Sequence, residues 1–300
     1  MAGLGIIIPR AGSGPVVPDT DSRLHSGSLL LLDVMHSSAP LAAGVPADAS
    51  LIPNIAHTQA AAAIGGSPTE AALAGIFKTN ALTGSVGLLE RSSKGGIHAI
   101  VTQGTLALSA GGAAILVPTA IRQYMFDNPT HGIYMSQWTN RTRAQTLTTG
   151  TTNFKFAISA SSSALANYKL GHVSLGSQSE RPTSASGTFL GKRTGVSGNE
   201  VGSQFVNSAS NGWTGTAPTS LATLSAYGFN VGSPLTSPTT NRQASGFSSE
   251  IFYACYIEDL TVSGRTYAEV DALDQAAFTA AFGTGGRYNG DTYTAPSTIA

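Results

Sequence analysis

The run Ile251-Phe252-Tyr253-Ala254-Cys255-Tyr256-Ile257 is apolar or aromatic on both strand parities. A strand with one wet face alternates apolar with polar residues, so a run without alternation suits a strand covered on both faces, central in a sheet or at an interface. Farther on, Thr266-Tyr267-Ala268-Glu269 has the spacing of a capping box, in which the Thr hydroxyl serves the Glu269 amide and the Glu carboxylate serves the Thr266 amide. A helix is expected to begin there. Val270, Leu273, Ala277 and Ala281 recur at helical spacing, Phe278 and Phe282 flank that stripe, and Gly283 is placed to close the helix in a left-handed conformation.

What surrounds such a strand depends on how the chain stays soluble. Only 11% of the 300 residues are charged, against about 25% in typical domains, while 41% are hydrophobic and 35 are Gly. The exterior must therefore be built of Ser, Thr, Ala and Gly, which suits a subunit whose surface lies against neighbours better than a free monomer. Disorder calls for low hydrophobicity with high net charge, and the formal net charge here is zero. No basic stretch offers an electrostatic footprint for nucleic acid. Cys255 is the single cysteine, which rules out an intrachain disulfide and reads as a small buried hydrophobe. The first residues, Met-Ala-Gly-Leu-Gly-Ile-Ile-Ile-Pro, lack a basic n-region and are too short an apolar run for a signal peptide or a membrane span. The expectation is a protein made in a cytoplasm, with no membrane insertion.

Four regions follow along the chain. Residues 1–27, with Pro9, Pro15 and Pro18, read as an extended arm, and its apolar Ile6, Ile7, Ile8 and Pro9 are candidate assembly contacts. Residues 28–95 read as a first core strand, Ser28 to Met35, plus an Ala-rich helical insertion. There Gln59 to Ile64 ends at Gly65-Gly66, and Ser67-Pro68-Thr69-Glu70 opens a helix running to about Ile76. Residues 96–262 have the texture of short strands between Gly, Ser, Thr, Asn and Pro clusters: Ile97–Val101, Ala113–Val117, Ile121–Phe126, His131–Trp138, Asn153–Ala160, Tyr168–Leu175 and Leu221–Val231. Between them, Ser177–Gly187, Gly195–Ser203 and Gly232–Gly246 look like surface loops. Residues 263–300 hold the capping helix and a tail. Many short strands without a βαβ rhythm give a mainly β fold, an antiparallel β-sandwich of jelly-roll type, with a short helical N-terminal region and one C-terminal helix.

Catalytic patterns are sparse. A glycoside hydrolase needs two carboxylates across one concave face; Glu258 and Asp259 are adjacent and point to opposite faces of a strand, and read as solvation of a strand end. The six histidines show no His-x-His or His-Glu-x-x-His spacing, His131 reads as a strand-edge residue, and neither Gly-x-Ser-x-Gly nor a Walker loop occurs in context. The chain is accordingly expected to be no enzyme and to need no cofactor or metal. Sugars stack on Trp and Tyr with amide and guanidinium hydrogen bonds at the rim. Trp138, Asn140 and Arg141 form one candidate carbohydrate- or partner-binding set, with core burial the rival for Trp138, and Asn211 and Trp213 form another in a polar loop.

Tyr256-Ile257-Glu258-Asp259-Leu260 followed by Thr266-Tyr267-Ala268-Glu269-Val270 resembles the closing strand and Ser/Thr-x-Ala-Glu-hydrophobic turn of laminin-G-like (concanavalin-A-like) jelly-roll domains, although Thr261 to Arg265 are inserted between strand and cap. The strand His131 to Trp138, with Thr139 and Arg141 beyond it, is similar to the middle of such domains. Low charge, the apolar arm and the closing Phe282-Gly-Thr-Gly-Gly-Arg287-Tyr288-Asn-Gly-Asp291 segment resemble tailed-bacteriophage virion proteins. That resemblance implies a structural protein of the tail, tail fibre or baseplate, located in the virion. Its partners would be other virion proteins, in a homo-oligomer with a trimer favoured, and a host cell-surface glycan. A head decoration or head fibre, and a carbohydrate-binding receptor-recognition module, are the alternatives.

Overall fold

A computed structural model describes residues 21–80, 82–103, 111–128, 130–143, 154–159, 168–174, 189–190, 202–210, 214–215, 225–232 and 248–299. In chain order these form β1 (Ser28–Asp33), β2 (Leu51–Ile52), α1 (His57–Ile64), α2 (Glu70–Leu73), β3 (Gly75–Asn80), β4 (Gly87–Arg91), β5 (Ile97–Val101), β6 (Gly112–Leu116), α3 (Thr119–Asp127), β7 (Ile133–Arg143), β8 (Phe154–Ser159), β9 (Tyr168–Ser174), β10 (Phe189–Leu190), β11 (Gly202–Ser210), β12 (Thr214–Gly215), β13 (Ser225–Gly232), β14 (Ser249–Asp259), α4 (Leu260–Ser263) and α5 (Tyr267–Phe282). The fold is mainly β, and every strand pairing among the described residues is antiparallel. No helix among them is long and apolar enough to cross a membrane.

One sheet runs β10-β11-β7-β14-β5-β4, and the other β12-β9-β8-β13-β6-β3-β2. β14 is the central strand of the first. Along one edge it pairs with β7 over its whole length; along the other its N-terminal half pairs with β5 and its C-terminal half with β1. All of β14 is buried. Its inner face meets the second sheet, where Phe252 lies 5.3 Å from Phe229 of β13 between ring centroids. Its outer face lies under α5, where Tyr253 packs edge-on to Phe282 at 4.9 Å. The register with β7 passes from Phe252↔Thr139 to Ala254↔Trp138, so Tyr253 is a bulged residue and both Tyr253 and Ala254 face outward. The bulge reverses parity beyond it. Cys255 lies beside Gln137, whose Nε2 reaches the Gly228 carbonyl of β13, while Tyr256 turns outward toward Tyr134 and α5.

Several expectations need correction. Ile121–Phe126 is helical, part of α3, because Ile121, Tyr124 and Met125 are buried at spacings of three and four along one helix face. The helix after Pro68 is capped by Thr69 instead of Ser67 and stops at Leu73. Gly75 then starts β3, where a Cβ would sit 2.7 Å from Leu32 Cδ1 and 3.1 Å from Ile115 Cγ2, so a larger residue there would have to displace core side chains. Within residues 28–95, β1 is the expected core strand, and the Ala-rich stretch also supplies sheet strands: β4 belongs with β1 to the first sheet and β2 and β3 to the second. Leu260 opens the one-turn helix α4, capped by Asp259, instead of continuing the strand. Gly283 closes α5 with extended backbone, φ −69° and ψ 175°, and its amide bonds the Thr279 carbonyl. The surface-loop reading of Gly195–Ser203 ends inside β11, that of Gly232–Gly246 begins on the last residue of β13 and is otherwise outside the described residues, and that of Ser177–Gly187 lies outside them.

Candidate functional site: buried charges joining the two ends of the chain

α5 begins at the expected box: the Thr266 hydroxyl accepts from the Glu269 amide, and the Glu269 carboxylate accepts from the Thr266 amide at 2.7 Å. The helix lies on the outer face of the first sheet through Val270, Asp274, Ala277, Phe278 and Ala281. Asp274, next to the expected Leu273, is the residue turned fully inward, so a carboxylate stands in the middle of an apolar stripe.

A buried charge is tolerated only when paired and hydrogen-bonded. Here the partner is Arg23, itself fully buried, whose Nη1 donates to Asp274 Oδ1 at 3.0 Å. The same guanidinium grips Asp21 with a two-pronged fork, Nε to Oδ1 at 2.9 Å and Nη2 to Oδ2 at 2.7 Å. Its plane lies over the Trp138 ring at 4.6 Å, a cation–π contact inside the core. Tyr134 adds a hydroxyl donor to Asp274 Oδ2 at 3.2 Å. Asp33 at the end of β1 lies 3.8 Å from Arg23 Nη2, and accepts from Arg287 and from the Tyr288 hydroxyl, the latter at 2.6 Å. Below it, Arg265 holds Glu258 and also donates to the Arg23 carbonyl at 2.6 Å. Residues 21–33 and 258–288 are thus one interlocked unit.

The electrostatics follow from burial and pairing. Burial would raise the Asp21 carboxyl, but hydrogen bonds from His36 and Arg23, with the Arg23 charge, hold it well below the usual carboxylate range. Burial of Asp274 outweighs Arg23 and pushes its carboxyl up. Burial likewise raises the Tyr134, Tyr288 and Cys255 protons, so Cys255 is an unreactive core thiol.

Two further polar groups border this unit. His98 Nδ1 lies 2.8 Å from Glu90 Oε1, and its Nε2 lies 2.9 Å from Thr142 Oγ1. These spacings match a nucleophile–base–acid relay. The ring, however, is buried with its edge against Tyr293 at 5.1 Å, and the Thr142 hydroxyl is shared between His98 Nε2 and the Ser249 carbonyl, 3.1 Å away, so the group works as a cross-strand tie. The C-terminal segment is fastened there: the Thr294 amide and hydroxyl both donate to Glu90, at 2.8 and 2.7 Å. At the far end of β14, Asp259 receives the Thr261 and Val262 amides on Oδ1 and the Tyr124 hydroxyl and His131 Nδ1 on Oδ2, at 2.8 and 2.6 Å.

These positions revise the sequence-derived sites. Glu258 and Asp259 do face opposite sides, but both are fully buried, so they tie elements together instead of solvating a strand end. His131 is tied by its Nδ1 to Asp259 Oδ2. Trp138 is fully buried beneath Arg23, Phe278 and Phe282, leaving no open ring face for a sugar, and Asn140 and Arg141 are buried beside it along β7. Thr266 and Glu269 cap α5 as expected. Ile6, Ile7, Ile8, Pro9, Asn211 and Trp213 lie outside the described residues. Arg23, Asp33, Asp274 and Arg287 were not foreseen. No local pattern marks them, because the residues that pair are up to 254 positions apart. No protein-family model, curated protein or solved structure matches the chain.

Proposed function

We propose that this chain is a non-enzymatic structural subunit of a tailed-bacteriophage virion, belonging to the tail, its fibres or the baseplate. In this reading its paired antiparallel sheets are a laminin-G-like jelly roll, and its N-terminal arm, with Ile6, Ile7, Ile8 and Pro9, joins copies of the chain and other virion proteins. The observation that carries it is where the charges are. Among the described residues, seven charged side chains are buried: Arg23, Asp33, Arg141, Glu250, Glu258, Asp259 and Asp274. A sequence already poor in charge places several of its charges inside, which suits a near-neutral exterior of the kind that tolerates close packing against neighbours. The interlock at Asp21 to Arg23 supports this reading, because it ties the last residues of the expected arm to the C-terminal helix.

The test is to find the chain in particles. Peptides of this protein in gradient-purified virions, at a stoichiometry of several copies, are the expected result. Their absence from the particles of a phage that encodes the chain would overturn the reading.

A further inference from the structure

The segment Asp291–Ile299 has almost no structure of its own. It carries one 3-10 turn, Pro296–Thr298, and pairs with none of the described strands. It is held by the body instead. Asp291 accepts from the Ser93 hydroxyl at 3.1 Å, the Lys94 amide at 2.7 Å and the Tyr253 hydroxyl at 2.7 Å. Thr292 exchanges bonds with Ser93, Thr294 is fixed twice to Glu90, and Arg143 Nη1 donates to the Pro296 and Ile299 carbonyls at 3.0 and 2.7 Å. The segment is a strap across β4, β5 and β7. It leaves the body at Asn289-Gly290, both exposed, with Gly290 at φ +68°, a value that favours Gly, and this short connection, which pairs with none of the described strands, is the hinge between body and strap.

We propose that in the assembled protein this strap is exchanged, the strap of one copy occupying the seat formed by Ser93, Lys94, Glu90, Tyr253 and Arg143 of another. The inference rests on the assembly reading above and specifies its contact. The seat recognises the strap through hydrogen bonds that any identical strap reproduces, so the closed and exchanged forms share the same bonds and differ only at the hinge. Intrachain closure is favoured by proximity when the chain is alone. Once copies are held side by side, a neighbour's strap competes at a similar effective concentration. Because the segment has no fold to lose, its transfer breaks only the bonds that it then re-forms.

Cysteine pairing tests this directly. Ser93, Lys94 and Thr292 are exposed, and Cys255 is buried, so the paired substitutions Ser93→Cys/Thr292→Cys introduce the reactive thiols. The assembled protein is oxidised and run on a non-reducing denaturing gel, with each single-cysteine variant as control. Exchange gives covalent multimers from the paired variant and monomer from the single ones. Cross-linking that yields only compact monomer, in a preparation that sedimentation shows to be assembled, overturns the exchange and leaves the assembly reading standing. A chain that forms no oligomer overturns both. Should the first pair disturb folding, Lys94→Cys/Thr292→Cys reads the same contact from the adjacent residue, with the same two outcomes.

Discussion

Arg23 Nη1 meets Asp274 Oδ1 at 3.0 Å although the two residues are 251 positions apart in the chain, and both side chains are excluded from solvent. Removing one partner of such a pair strands the other charge in the core. Arg23→Met, which also leaves Asp21 without its fork, is predicted to cost about 3–5 kcal/mol. Arg23→Met/Asp274→Leu, which removes both members, should recover part of that loss. Urea unfolding of the three proteins measures it, and an Arg23→Met variant as stable as the parent would mean that the interlock does not hold the ends.

Trp138 is the largest of the fully buried side chains and is covered by Arg23 and two Phe rings. Trp138→Ala should destabilise the fold by about 3–5 kcal/mol, and Trp138→Phe by less. A Trp138→Ala protein with unchanged stability and altered glycan binding would put the indole back on the surface.

Thr266 is exposed, so its substitution isolates the cap. Thr266→Ala removes the acceptor for the Glu269 amide and should lower stability by about 1 kcal/mol. Thr266→Asp keeps an acceptor and should retain most of it. Equal losses from both substitutions would show that the hydroxyl is not acting as a cap.

The His98 tie sets a pH dependence. Burial lowers the His98 pKa from its ordinary 6.5, against the opposing pull of Glu90, so the folded state binds fewer protons than the unfolded state just below that value. The stability contributed by neutral His98 is present above about 6.5 and is lost as pH falls below it. Hydrogen bonds from Thr294 and His98 lower the Glu90 pKa despite partial burial, so its contribution is present above 4.5 and lost as pH falls through the lower folded value. Melting temperature should therefore drop on acidification from neutral pH, with a shallower slope in His98→Gln between pH values of about 7 and about 5. A parallel slope in that variant would remove His98 from the account.

The fold was partly readable because some of its signals are local. The capping box, the doubly apolar β14, and the runs that became β1 and β5 need only neighbours in sequence to be recognised. The bulge at Tyr253 is one reason that β14 shows no alternation, since it moves Tyr256 to the face that Tyr253 already occupies. Over six residues Ile121–Phe126 fits a strand as well as a helix, and only the burial of Ile121, Tyr124 and Met125 together separates the two. Asp274 carries no signal of its own in the sequence, because its counter-charge, Arg23, lies 251 positions away. Long-range ion pairs leave no spacing to read, so the interlock became visible only with both ends in place.

If a near-neutral exterior is what brings copies together, their association should depend little on screening of charge. Sedimentation velocity of the full-length chain in about 0.05 M and about 0.5 M salt tests this most directly. The expected result is one discrete homo-oligomer at both ionic strengths. A monodisperse monomer at every concentration, or an oligomer that dissolves as salt rises, would contradict it.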